Sequence, residues 1–379
     1  MAQCPPLRIC HEASYSVDWD SIFGGSPPPI SQTDNDPYVL IADEVDADEV
    51  DADDSLIRFM RDDEGSEDCS SKVDLVKNFC AGANITTQKW GAEANQDADT
   101  QPIALVDDRS FDGRTAVPRR GPMTLTAEQL FDYLQTMVRF RIRRESNEPG
   151  SGLSEREDFT VEQSNADRRL LFITNLDCRA ILVLARTAPR AQARALRDSI
   201  YNHLAFNAST LVTISRDGLP TFRLAFDLPF YELRYATTPM EDLPRRGDGK
   251  GVRHYTDVSF LVPPSPGTSM SYLCQAHVSC AIFGTNDSRW EADMFLDTSL
   301  DSEETIEEYK YDPDDPEQMQ QDPLRRGKAA DKPILDPRLY YLDVLTIRIR
   351  FVRAKFRHIL DTLRPTIEAQ SLLPAGRVK

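Results

Sequence analysis

The chain has 379 residues, 40% of them apolar, and a formal net charge of -18 at pH 7, which is enough apolar sequence for one or two domains with real cores. The charge is uneven: residues 1–110 hold 24 of the 62 acidic side chains and 7 of the 44 basic ones, leaving 38 acids and 37 bases in the rest. A near-neutral folded part behind a repulsive acidic segment has no global field to attract DNA or RNA, so no nucleic-acid partner is expected.

Residues 1–115 are expected to be acidic and mostly disordered. The 28 large apolar side chains in residues 1–110 would yield about 40 to 85 kcal/mol if all were buried, against about 110 to 220 kcal/mol for ordering the backbone. Within this stretch Ala42–Asp46 repeats as Ala47–Asp51, and it lacks the turn glycine and terminal Glu of a cation loop.

An α+β domain is expected over residues 123–298. Thr126 and Gln129 form a capping-box pattern ahead of a helix from Ala127 to about Met137, with Leu130, Leu134 and Met137 on one face. Residues 144–165 are polar and predict a loop. Leu170–Thr174 predicts a buried strand, Asp177 a cap for a helix through Ile181 and Leu184, and Pro189 the first position of a second helix. Leu211–Ser215 and Phe222–Leu228 flank Asp217-Gly218 and predict a hairpin whose second strand, with Arg223, Ala225 and Asp227 alternating, is half-buried. Val258–Val262 predicts a short strand. A further hairpin follows, with Tyr272, Cys274, Ala276, Val278, Cys280 and Ile282 on one face, a turn at Asn286-Asp287, and Trp290, Ala292, Met294 and Leu296 returning.

Residues 299–335 are expected to form an acidic linker, since Asp301–Asp322 carries ten acids and one base. Asp336-Pro337 caps an amphipathic helix over residues 336–364, stopped by Pro365, with residues 365–379 as a tail. Leu342, Leu345, Ile349, Val352, Phe356, Ile359 and Leu363 advance by alternate threes and fours, the seam of a coiled coil or of a helix docked on its own domain or a partner. Arg186, Arg190, Arg194 and Arg197 form a basic face at helical spacing, suited to phosphate, an acidic segment or solvent.

No constellation predicts catalysis, a metal or a cofactor. Cys274, His277 and Cys280 have zinc-like spacing, but strand alternation points the histidine away from the two cysteines. Leu171–Leu176 matches the first strand motif of an RNA-recognition sheet without its partner motif. Gly247, Gly249 and Gly251 lack phosphate-loop spacing, and the five histidines are scattered. Seven cysteines without regular spacing suit a reducing compartment. With no secretory pattern and no apolar run near 20 residues, a cytoplasmic or nuclear chain without a membrane span is expected.

The blocks Arg169–Leu176, Ala195–Phe206, Phe222–Phe230, Thr256–Leu261 and Ala329–Arg338, in that order, resemble an uncharacterised family of filamentous-ascomycete proteins. Longer members are sometimes described as CorA-like. The resemblance implies no assigned activity, and this chain carries neither the apolar spans nor the Gly-Met-Asn signature of CorA transporters. The combined expectation is an α+β fold with a mixed or antiparallel sheet built from hairpins, acting as a non-catalytic interaction or regulatory module. Its expected contacts are a protein partner or a second copy of itself. The rival expectations are a soluble domain of a CorA-like protein and an unrecognised enzyme.

Overall fold

Alternation along a few long strands determines the architecture. The computed structural model describes residues 21–30, 34–41, 52–61, 69–81, 101–111, 116–119, 123–137, 139–140, 164–215, 220–237, 251–262, 270–298, 305–309, 321–330 and 333–371. Among the described residues nine strands form one mixed sheet, with seven of them in the order β2-β1-β4-β9-β8-β6-β5. They are β1 (Ala104–Phe111), β2 (Ala116–Pro118), β3 (Met123–Leu125), β4 (Arg168–Thr174), β5 (Ser209–Ser215), β6 (Thr221–Ala236), β7 (Tyr255–Asp257), β8 (Met270–Asn286) and β9 (Arg289–Leu296). Strand β3 pairs with β1 and β7 with β8. Every pairing is antiparallel except β4 with β9. A two-stranded ribbon, β10 (Gln321–Asp322) and β11 (Lys328–Ala329), stands apart. The α+β expectation and both hairpins are therefore observed.

Both faces of the sheet are covered. Six helices among the described residues pack on one face: α1 (Tyr38–Ile41), α2 (Ala52–Met60), α3 (Cys69–Cys80), α4 (Ala127–Thr136), α5 (Cys178–Thr187) and α6 (Arg190–Leu204). On the other lies α7 (Pro337–Ser371), with the single turns Ile306–Tyr309 and Pro323–Arg325. Helix starts follow the cap chemistry of the sequence. Thr126 and Gln129 exchange both capping-box bonds, Asp177 accepts from the Ala180 amide at 2.8 Å, and Asp336 accepts from the Arg338 and Leu339 amides. Pro189 is the cap of α6 rather than its first residue, and Met137 is the C-cap of α4.

Several expectations change. Within the acidic front segment, Phe23, Leu56, Phe59, Val76 and Phe79 are at most 2% exposed, and β1 pairs with β4 from Ala104 to Arg109. The apolar residues of the segment are concentrated in short stretches that dock on a formed domain, which supplies burial that the segment taken alone lacks. Asn286 fixes one of these stretches by donating to the carbonyls of Phe23 and Gly25 at 2.7 and 2.8 Å. The Ala42–Asp51 repeat and residues 144–163 lie outside the described residues, apart from Asp51's neighbour Ala52, which opens α2. Val258–Val262 forms a turn and β7 precedes it. In the acidic linker, Ile306, Tyr309 and Asp322 are buried; Asp322 accepts from the Tyr340 hydroxyl at 3.0 Å. Strand β6 is covered rather than half-buried: Asp227 is 2% exposed beneath α6.

Helix α7 runs through Pro365 to Ser371. Proline removes the bond to the Asp361 carbonyl, but both residues are exposed, so that carbonyl faces water. The expected seam is split lengthwise. Ile359 is buried, and Leu345, Val352 and Leu363 pack at the edge of the interface. Leu342, Ile349 and Phe356 face outward at 52%, 48% and 41% exposure. The stripe that meets the sheet lies about one position earlier: Tyr340, Tyr341, Val344, Arg348 and Phe351. Arg348 is fully buried and donates to the Pro323 carbonyl at 2.8 Å, while Lys355 pairs with Glu232 at 3.0 Å. Two charged residues in the contact stripe made it invisible to a pattern of apolar side chains.

Phe351 stacks edge-on against Phe230 with ring centroids 5.4 Å apart. Phe351→Ala is expected to cost about 3 to 5 kcal/mol, and Ile349→Ala on the outer side less than about 1 kcal/mol. Urea unfolding of the two variants measures the difference; equal losses would reverse the assigned faces.

Candidate functional site

A covered sheet face forces the polar alternates of its strands to find partners inside the protein. On the six-helix side, Asp108 of β1, Arg169 of β4 and Glu291 of β9 form one row, since Asp108 pairs in register with Arg169 and Arg169 with Glu291. Arg169 grips Asp108 with two bonds of 2.7 and 2.8 Å, and the Tyr133 hydroxyl donates to the same carboxylate at 2.9 Å. Burial alone would raise the Asp108 carboxyl, but the Arg169 charge and these bonds hold it below the usual carboxylate range. Arg139 donates to Glu291 at 2.9 Å and to the Ala166, Asp167 and Trp290 carbonyls. Gln192 of α6 donates to the same Glu291 oxygen at 2.5 Å.

One residue farther along this face of β9, the pattern fails. Asp293 is 2% exposed, and neither carboxyl oxygen meets a hydrogen-bond donor. Its polar neighbour is Glu291, a second carboxyl, whose negative charge opposes ionisation of Asp293. Burial first, and Glu291 second, push Asp293 well above the ordinary carboxylate range. Burial also raises Glu291, opposed by Arg139 and Arg169.

Asp293 and Glu291 form part of the wall of a cavity of about 290 Å³, with Arg139, Arg169, Gln192, Leu134, Leu171, Leu184 and Leu196. The cavity exists because the chain breaks between α5 and α6 at Ala188-Pro189 and because residues 34–37 cross that break. Pro37 bridges to Pro189, the Tyr38 amide donates to the Ala188 carbonyl at 2.8 Å, and Asn35 exchanges two bonds with the Phe140 backbone. A larger groove of about 510 Å³ adjoins it, sharing Asp34, Arg139, Pro189 and Gln192. The groove presents five arginines, Arg139, Arg190, Arg194, Arg223 and Arg289, against Asp34 and Asp198. It also faces the start of α6, whose cap Pro189 offers no side-chain acceptor, so the positive end of the helix adds to the field.

The four arginines of the predicted basic face separate. Arg190 and Arg194 are exposed and line the groove. Arg197 is 8% exposed and donates to the Phe59 and Arg61 carbonyls at the end of α2, which makes it a clamp for a front-segment helix. Arg186 is half-buried and lines neither cavity. The seam residues of α7 lie across the sheet from this site.

The scattered histidines hid a second buried cluster. His203 of α6 and His277 of β8 meet edge to face at 4.9 Å. His203 lies 3.1 Å from Asp297 and 3.2 Å from the Ser279 hydroxyl, and that hydroxyl is also 3.2 Å from His277. Arg253 completes the set by donating to Asp297 at 2.7 Å. The Ser279, His203, Asp297 order has the look of a hydrolytic triad, but Ser279 is 1% exposed and lines neither cavity. The cluster ties α6 to β8 and to the end of β9. Cys274 and Cys280 lie on the opposite side of β8 from His277, as strand alternation requires. No group of three or more metal-ligating side chains forms among the described residues.

No family model, curated protein or solved structure matches the chain. Among the described residues no helix is long and apolar enough to cross a membrane.

Two opposite pH trends follow. Asp293 has a raised folded-state value, so its contribution is full below the unfolded value of 3.8 and is lost as pH rises through the folded one. Asp293→Asn should therefore stabilise the fold at pH 7 by about 1 to 3 kcal/mol, with no gain below pH 3.8. Burial lowers both His203 and His277 below 6.5, and His277 further through the neighbouring His203 and Arg253. Both are neutral when folded, so stability should fall as pH drops below 6.5. Denaturant midpoints from pH 3 to pH 8 for wild type and Asp293→Asn read both trends; a variant no more stable at pH 7 would remove the first.

Proposed function

We propose that the chain is a ligand-binding module whose groove takes a small anionic molecule, with phosphate the best-fitting group. The observation that carries this is the groove at the start of α6, where five arginines face two aspartates beside an adjoining cavity of about 290 Å³. Guanidinium forks match phosphate oxygens in pairs, and a helix start without a side-chain cap adds the positive end of its dipole. This narrows the interaction-module expectation from a protein-docking helix to a pocket, in keeping with α7 packing most of its length on its own sheet. The ascomycete resemblance rests on its residue blocks and adds no activity.

A second reading, an enzyme, draws on the Glu291–Asp293 pair, because two carboxyls with raised values in one cavity are also the equipment of acid–base catalysis. Turnover of a phosphorylated compound that vanishes in Asp293→Asn while binding persists would favour it.

Calorimetric titration with pyrophosphate tests the binding reading. Saturable binding is expected at low salt, weakening as ionic strength rises. In the double variant Arg190→Ala, Arg194→Ala it should weaken at least tenfold, with the melting temperature within about 3 °C of wild type because both side chains are exposed. Absence of saturation at millimolar pyrophosphate would reject the reading.

A further inference from the structure

We infer that the cavity behind the groove is a subsite for a primary ammonium group, so that the ligand is a short amino compound with an anionic far end. The inference rests on the groove reading for the anionic end only. Asp293 carries the cationic end: it is 2% exposed, lines the cavity, and neither of its oxygens meets a donor. An acceptor left without donors in an enclosed space is completed by a ligand that brings them, and an ammonium brings three.

Charge selects among cations. The groups facing the cavity or packed directly behind it are Asp108 of β1, Arg169 of β4, Glu291 and Asp293 of β9, and Arg119 and Arg139 from the connecting segments. Asp34 stands at the rim, half-buried. With Asp34 included, four carboxyls face three guanidiniums, and with Asp293 kept neutral by burial and by the Glu291 charge the set carries no net charge. Exchanging the Asp293 proton for an ammonium leaves the total unchanged. A divalent metal ion would add a charge next to two arginines in a desolvated space, which is costly. Leu134, Leu171, Leu184 and Leu196 give part of the wall an apolar surface, suited to the methylenes between the two ends. The overlap of cavity and groove at Arg139 and Gln192 lets one short molecule reach both.

The exchange has a direct signature. Asp293 gives up its proton as the ammonium enters, so binding near neutral pH releases a proton to the buffer. Full-length protein is titrated with n-butylammonium, with butyl phosphate, with 4-aminobutyl phosphate and with Mn²⁺, each in two buffers of different ionisation enthalpy. The bifunctional compound should bind at least tenfold tighter than either half, and butylammonium should release about one proton per site. In Asp293→Asn, butylammonium should weaken at least tenfold and release none, while butyl phosphate binds as to wild type. A melting curve for the variant confirms that it folds. Butylammonium that fails to saturate, binds the variant equally, or is outcompeted by Mn²⁺ at an Asp293-dependent site overturns the inference. Butylammonium binding without butyl phosphate binding would instead reject the anionic groove and keep the ammonium subsite.

Discussion

A sheet covered on both faces is the constraint from which the rest of the structure follows. Strand alternation gives each strand two sets of side chains, and along β4, β8 and β9 both sets are largely withdrawn from bulk water. The set under α7 is apolar along β6, β8 and β9, from Phe222 to Leu296. The set under α1–α6 is apolar in part and otherwise charged: Asp108, Arg169, Asp227, His277, Ser279, Glu291, Asp293 and Asp297 are all at most 6% exposed. Buried charge without compensation is severely penalised, so these side chains are arranged in networks that cross between strands and up to α6. The networks in turn fix the helices. His203, Gln192, Asn202 and Asp198 of α6 each reach a strand or the front segment.

The sheet's connectivity then decides where a cavity can form. Strands β4 and β9 are parallel neighbours although more than a hundred residues separate them, and α5 leaves β4 over this junction. The break at Ala188-Pro189 redirects the chain into α6, and the angle between the two helices leaves space above Glu291 and Asp293. The strap of residues 34–37 closes one side of it. Part of the acidic front segment is thereby a wall of the site, which ties its docking to the pocket's shape. Replacing Asp293 by an apolar residue of similar size would relieve an unpaired buried carboxyl. Its position at the wall of a cavity is the pattern expected where stability is given up for binding or chemistry.

Local chemistry was legible in the sequence wherever the deciding contact lies within a few residues. The Thr126 and Gln129 box, the Asp177 and Asp336 caps, and the hairpins β5–β6 and β8–β9 all belong to this group. Alternation also separated His277 from Cys274 and Cys280 correctly. What it could not show is what covers the second face of a strand, because an alternating polar residue reads the same whether it meets water or a guanidinium. Arg223 and Asp227 read as solvent-facing for that reason, and the Asp108, Arg169 and Glu291 row, assembled from three distant strands, had no local signature. His203 and His277, 74 positions apart in the chain, could be joined only by knowing that α6 lies across β8. Of the site, Arg190 and Arg194 were identified, whereas the carboxyl pair was not.

Helix α7 shows how a correct pattern can lead to the wrong face. Its sevenfold repeat is real, but two stripes of the helix satisfy it, and apolar content favours the outer one. Selection between them depends on what the inner stripe meets: an acid of the sheet, Glu232, for Lys355 and the carbonyl of Pro323, in the turn beside α7, for Arg348. Long basic side chains have apolar stems, so a stripe containing Arg348 and Lys355 still buries substantial hydrocarbon while its charged ends are satisfied. Tyr340 and Tyr341 add two hydroxyls that reach Asp322 and the Ala225 carbonyl. The inner stripe thus gains directional bonds that fix the helix in one rotation about its axis. Purely apolar Leu342, Ile349 and Phe356 would have left that rotation loosely specified.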